Sequence, residues 1–248
     1  MVDNKQYYDP LSWTRIFSFH WYRDQMTGWT PASYTLLIVG MILQLVLGFS
    51  KGFSWLGLTS TLAGMIGFTC VIAITNAKPI NGLLGLVNAL LLMYVALKTG
   101  NYSDIIMQIS YVCFLDIPVL MLWKTKVEPR TLNSKYFLQT VGCFIVFWAA
   151  TWVLDTQIVH SPQAFLDSLA AAIGLTGSVL ASRKFRAQYY FWVAQGAMSV
   201  ALWVQTAFNG HPVWSLMITY VLYLCNDLLA FVDKKVPWFH AKEHKTNA

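Results

Sequence analysis

Charge is what this 248-residue chain has least of. Asp, Glu, Lys and Arg make up 11% of it, where about 25% is usual for soluble domains. Hydrophobic residues fill 56%, more than a soluble core of this length requires. Only four residues are cysteine. Cys70, Cys113, Cys143 and Cys225 all fall inside apolar segments without metal-ligand spacing, so they read as packing residues and give no disulfide framework. Residues 1–33 are polar and aromatic and hold no apolar core, so no secretory leader is expected. Catalytic signatures are missing as well: there is no H-E-x-x-H pair, no G-x-S-x-G elbow, no acidic pair at metal spacing and no phosphate loop. The five histidines (His20, His160, His211, His240 and His244) are scattered through the ends and loops. Every lysine falls in a loop or at the end of an apolar run, which excludes a buried Schiff base to retinal. These absences argue against an enzyme, and no cofactor or metal is expected.

What is present is length in the apolar runs. A helix crossing about 30 Å of hydrocarbon needs roughly 20 mostly apolar residues. Eight segments qualify, near 34–49, 53–75, 82–97, 103–123, 136–154, 163–181, 189–208 and 213–232. Their loops divide the basic residues unevenly. Of 17 Lys and Arg, only Lys51 and Lys98 lie on the side opposite the amino terminus. By the positive-inside rule both termini are therefore expected in the cytoplasm. Adding or removing one span would scramble that division, so the charge pattern itself supports eight. Net charge +6 then reflects topology and contact with anionic lipid rather than nucleic acid. The stretch 11–29, with Trp13, Phe17, Phe19, Trp21 and Trp29 among charges, is expected to lie in the membrane interface.

The chain repeats itself. LAGMIGFTC from Leu62 to Cys70 matches LAAAIGLTG from Leu169 to Gly177 at five of nine positions, an offset of 107 residues. The same register sets the loop around Lys78 against the one from Arg183 to Arg186, and Asn88 against Gln195. With a few inserted residues Asp116 meets Asp227. Spans two to four thus return as spans six to eight, with span five between. Partners four spans apart point the same way, which implies parallel repeats about an axis along the membrane normal. The expected fold is an all-α membrane protein of eight transmembrane helices: one extra helix, a triplet at about 53–123, a linker at about 136–154 and a triplet at about 163–232. A segment 1–33 precedes it and a cytoplasmic tail 233–248 follows. Such repeats point to a transporter with a site at mid-membrane between them. A channel would show large polar rings, whereas the polar groups here are few and isolated.

The run GLVNALLLMYVALKTGNYSDIIMQISY, with Asp116 and Trp123 after it, resembles the first half of the Pnu-type vitamin transporters, whose best-known members carry nicotinamide riboside. Their G-x-x-N-x-x-x-x-x-Y run, aromatic-x-D and following Gln fall here on Gly85, Asn88, Tyr94, Tyr102, Asp104 and Gln108. In RKFRAQYYFWVAQGAMSVALW, Arg183, Lys184 and Trp192 fit the second half. Three positions depart from the pattern. Asp116 stands where the family has Asn, Tyr189 replaces the first Trp of a W-x-x-W pair, and Gly196 replaces a polar residue beside Gln195. The resemblance covers about residues 34 to 235. It implies a homotrimer with one pathway per subunit, facilitated diffusion, and a cytoplasmic kinase that phosphorylates and traps the incoming vitamin. It also implies a bacterial inner membrane. Other branches are thought to carry thiamine, riboflavin or deoxynucleosides, and a proton-coupled mode stays open.

Within the spans, Ser and Thr bond to their own helix backbone and carry no argument. Carboxylates do, because an Asp at a helix centre costs about 2.5–3.5 kcal/mol to insert. Two deep acids are counted, Asp116 and Asp227, at matching places in the repeats. They are candidates to offset the charge of a pyridinium substrate. Asn88, Gln108 and Gln195 each offer a donor and an acceptor for a carboxamide or ribose hydroxyls. Tyr94, Tyr189 and Trp192 are candidates to stack on a flat cationic ring, Trp192 foremost by its family position.

Overall fold

A computed structural model of the chain describes residues 16–50, 52–122, 129–210 and 213–240. A short helix α1 (Phe19–Met26) is followed by α2 (Pro31–Gly48), α3 (Trp55–Thr75) and α4 (Ile80–Thr99). The next rod has three parts: α5 (Tyr102–Tyr111), a π-helical turn over Val112–Asp116, and α6 (Ile117–Leu122). Then come α7 (Ser134–Val153) with a π-helical extension over Leu154–Val159, α8 (Ala164–Ser182), α9 (Gln188–Phe208), α10 (Trp214–Val232) and α11 (Pro237–His240). No strand occurs among the described residues.

The helix starts are written locally. Pro31 occupies the first turn of α2 while the Thr30 side chain accepts from the Ser33 amide. Ser54 caps α3 at the Gly57 amide and Asn133 caps α7 at Tyr136. Gly100 ends α4 at φ +79°, the left-handed conformation of a helix C-terminus. The first two long helices are tied at one end, where the Thr30 amide donates to Asn76 Oδ1 at 3.0 Å and Asn76 Nδ2 donates to Ser33 Oγ at 2.9 Å. Gly40 lets α2 close on α3, since a Cβ there would lie 2.2 Å from the Phe68 ring.

Six helices form a ring. In sequence order α3, α4, α5, α8, α9 and α10 each pack on the next, and α10 closes back on α3. The third helix of each triplet therefore meets the first helix of the other, as a twofold arrangement of parallel repeats requires. Helix α7 packs outside on α8, and α2 lies outside on α3 and α10. These two are the least buried spans, as lipid-facing helices would be.

Among the described residues, seven helical rods are long and apolar enough to cross a membrane. The eighth rod, α9, has the same length, but Gln188, Gln195 and Gln205 lower its hydropathy. The fourth span is not one α-helix, because Pro118 offers no amide to the Phe114 carbonyl and the Ile117 amide instead reaches Val112 O. Two of the four cysteines are not packing residues: Cys113 and Cys225 are exposed on the outer surface, while Cys70 is buried. Trp29 corrects the expectation for the arm at 11–29. It is buried, donates from Nε1 to Gln25 O at 2.8 Å and stacks on Tyr34. Phe17 and Phe19 are exposed, as interfacial anchors would be, and Trp13 lies outside the described residues. After α10, Val236 and Trp238 are buried against the bundle in one cluster with Cys70 and Ile74.

Candidate functional site

Inside the ring lies a cavity of ≈ 90 Å³. Its wall is drawn from both triplets. The first supplies Asn88 on α4 and Gln108 and Asp116 on the broken fourth span. The second supplies Trp192 and Gln195 on α9 and Asp227 on α10. Six of the eight residues singled out from sequence thus converge on one space, although they span 140 positions of chain.

The two carboxylates differ in how they are held. Asp116 ends the π turn and its side chain folds over α4 where Gly85 leaves room: a Cβ on Gly85 would lie 2.1 Å from Asp116 Oδ1. Its Oδ2 has no hydrogen-bond partner among the described residues. In the other repeat the position equivalent to Gly85 is Trp192. Both acids are nearly fully buried, and among the described residues no basic side chain pairs with either. A cavity with two such acids favours a cation.

The amides are oriented by their neighbours. Gln108 Nε2 donates to Asp104 Oδ1 at 3.3 Å, one turn back on the same helix. Gln195 Nε2 donates to Ser199 Oγ at 2.9 Å and to Met107 Sδ, across the triplets, at 3.8 Å. Asn88 Oδ1 is buried without a partner among the described residues, an acceptor left for a ligand. Trp192 lies along α8 at Gly177, where a Cβ would come within 3.1 Å of its indole.

Two expectations need correction. Tyr94 is 41% exposed on the outer face of α4, with Lys98 Nζ 5.7 Å from its ring centre. It cannot stack on anything in the cavity, because it lies six positions after Asn88, which turns it about 120° around the helix and away from the cavity. Tyr189 is buried behind the wall rather than in it. It meets Trp192 edge to face at 5.2 Å and, with Trp238, Phe231 and Phe239, forms an aromatic layer between the cavity and the side that carries both ends of the helix bundle. Trp238 Nε1 donates to Ile74 O at 3.1 Å and fixes that layer. On the far side, Trp203, Leu216 and Tyr220 close over the cavity, and beyond them Gln163 Nε2 donates to Thr206 Oγ1 at 2.8 Å and to Asn101 Oδ1. Trp123 lies outside the described residues.

The count of deep acids is also corrected. Asp104, Asp155 and Asp167 are buried at the far end of their helices. Hydropathy reads helix ends as interface, whereas packing of α5, α8 and the π-helical extension of α7 covers them. Sequence reasoning passed over Cys70, Tyr111, Tyr220 and Tyr223, which line the cavity. A signal for two of them existed: Tyr111 precedes Asp116 by five residues and Tyr223 precedes Asp227 by four.

Residues 54–238 match the model of the nicotinamide mononucleotide transporter family. The nicotinamide riboside transporter PnuC of Neisseria mucosa is 24% identical over 234 residues, covering 88% of this chain and 87% of that one. Its counterpart from Haemophilus influenzae is 23% identical over 223 residues, covering 85% and 92%. The crystal structure of the vitamin B3 transporter PnuC superposes with a TM-score of 0.76 at 22% identity, over 93% of this chain and all of that one, and so shares the fold.

Proposed function

Because the chain belongs to the nicotinamide mononucleotide transporter family, we propose that it carries nicotinamide riboside across the membrane and binds it in the cavity between the two triplets. The observation that carries this reading is the convergence of two unpaired carboxylates, three amides and one indole on a single buried space. A pyridinium ring brings a positive charge that Asp116 and Asp227 offset. Trp192 offers a face for the ring, worth about 0.5–2 kcal/mol when desolvated. Asn88, Gln108 and Gln195 supply donors and acceptors for the carboxamide and ribose hydroxyls, which hydrocarbon could not satisfy.

Passage needs no energy source beyond the gradient. With a barrier on each side of the cavity, the substrate crosses as first one barrier and then the other gives way. Phosphorylation by a cytoplasmic kinase then keeps the product from leaving. In this reading the protein sits in a bacterial inner membrane with both termini in the cytoplasm, which the distribution of Lys and Arg supports, and it assembles as a homotrimer.

Tryptophan fluorescence of the detergent-purified protein tests the assignment with a panel of nicotinamide riboside, thiamine, riboflavin and deoxynucleosides. Saturable quenching by nicotinamide riboside alone, lost in Trp192→Phe, is the expected result. Quenching by another member instead would overturn the substrate and trace specificity to the departures at Asp116, Tyr189 and Gly196.

A further inference from the structure

Two half-buried tyrosines line the cavity wall beside the amides. Tyr111 belongs to the third helix of the first triplet and Tyr223 to the third helix of the second. Each points its hydroxyl at a glycine on the first helix of the opposite triplet. A Cβ on Gly67 would lie 2.1 Å from Tyr223 Oη and 2.8 Å from both terminal atoms of the Asn88 amide. A Cβ on Gly174 would lie 2.8 Å from Tyr111 Oη and 2.5 Å from Met107 Sδ, the sulfur that accepts from Gln195 Nε2.

The two arrangements are equivalent by sequence. Gly67 and Gly174 are separated by the repeat offset of 107, as are Asn88 and Gln195. The tyrosines are 112 apart and the aspartates 111, and the π turn between Tyr111 and Asp116 holds the one extra residue. Glycine inside a helix costs about 1 kcal/mol relative to alanine. It stands at both places where a hydroxyl from the other triplet needs its space.

A phenylalanine would fill the apolar part of the wall as well as a tyrosine. What the hydroxyl adds is a polar contact at the depth of the amides, and a buried tyrosine hydroxyl seeks such a partner. We infer that Tyr111 and Tyr223 are paired positioning residues, one from each triplet, whose hydroxyls sit in glycine sockets of the opposite triplet and hold the Asn88 and Gln195 amides toward the substrate. This rests on the cavity being the binding site. Tyr223 Oη meets the Asn88 amide across the Gly67 socket and leaves Oδ1 without a donor, free for the substrate, whereas Tyr111 acts on Gln195 through Met107. Each amide is thus set by a residue of the opposite triplet from its own, so the site is complete only when the triplets are docked as they are here.

The test uses purified protein in liposomes, with uptake of nicotinamide riboside and thermal melting as readouts. Tyr223→Phe is expected to raise KM about fivefold to tenfold, with Vmax changed less than about twofold. In an Asn88→Ala background the same substitution changes KM less than about twofold, because no amide remains to be oriented. An equal rise in both backgrounds, or an unchanged KM in the first, overturns the positioning role. The melting arm needs no ligand. Gly67→Ala lowers Tm, and adding Tyr223→Phe restores part of the loss by vacating the space that the new methyl needs. A double variant that melts no higher than Gly67→Ala alone overturns the socket. Wild-type protein that takes up no nicotinamide riboside would defeat the substrate assignment instead, and the socket would then stand or fall on melting.

Discussion

Gly85 decides whether Asp116 can face the cavity, because any side chain there would occupy the place of its carboxylate. Gly85→Ala is accordingly expected to lose nicotinamide riboside binding as Asp116→Ala does, with an overpacking cost of about 1–3 kcal/mol seen as a lower Tm. Asp116→Ala should fold and insert normally, since among the described residues the carboxylate has no basic partner to leave behind. Wild-type uptake by that variant would sink the assignment of Asp116. Asp116→Asn separates charge from shape. A charged group is worth roughly 1.5–3 kcal/mol in a hydrogen bond. Affinity for the cation should therefore fall about tenfold to a hundredfold in the fluorescence titration.

At the scale of the element, the fourth and eighth spans perform the same task with different backbones. The fourth span carries its extra residue as a π turn, which leaves Tyr111 and Asp116 on the cavity wall together. The eighth is plain α-helix, with Tyr223 and Asp227 one turn apart. Deleting exposed Cys113 is expected to convert the turn to α-helix with uptake retained and Tm within a few degrees. Deleting Cys225, also exposed, has no extra residue to absorb it. It would rotate Asp227 by about 100° relative to Tyr223 and abolish uptake. Equal outcomes for the two deletions would show that the π turn is not the inserted residue.

For the whole molecule, access depends on the layer under the cavity. Trp238 reaches the Ile74 carbonyl from a position beyond the last span and ties that position to the layer. Cys70 reports on this layer because it lines the cavity and is 7% exposed. With Cys113, Cys143 and Cys225 replaced by alanine, Cys70 should resist a membrane-impermeant maleimide applied from the side of the termini. Trp238→Ala should make it react several times faster. Unchanged labelling would mean that the aromatic layer holds without Trp238.

Eight helical rods, their repeat and six of the residues around the cavity were legible in the chain, because apolar run length and the cost of a buried carboxylate are local properties of sequence. Composition alone could not orient side chains around a helix. Tyr94 shares a motif with Asn88 and still faces outward, and Tyr189 stands one turn before Trp192 and still lies behind it. Nor could it show burial at helix ends, where Asp104, Asp155 and Asp167 are covered only by neighbouring helices. The glycine sockets lay furthest from view, since a hydroxyl and the space it fills come from opposite triplets and meet only when the ring closes. Sequence by itself determined the membrane fold, its duplication and the acids that need a partner. Tertiary structure decided which side chains share a space, because that depends on helix rotation and on contacts more than a hundred residues apart.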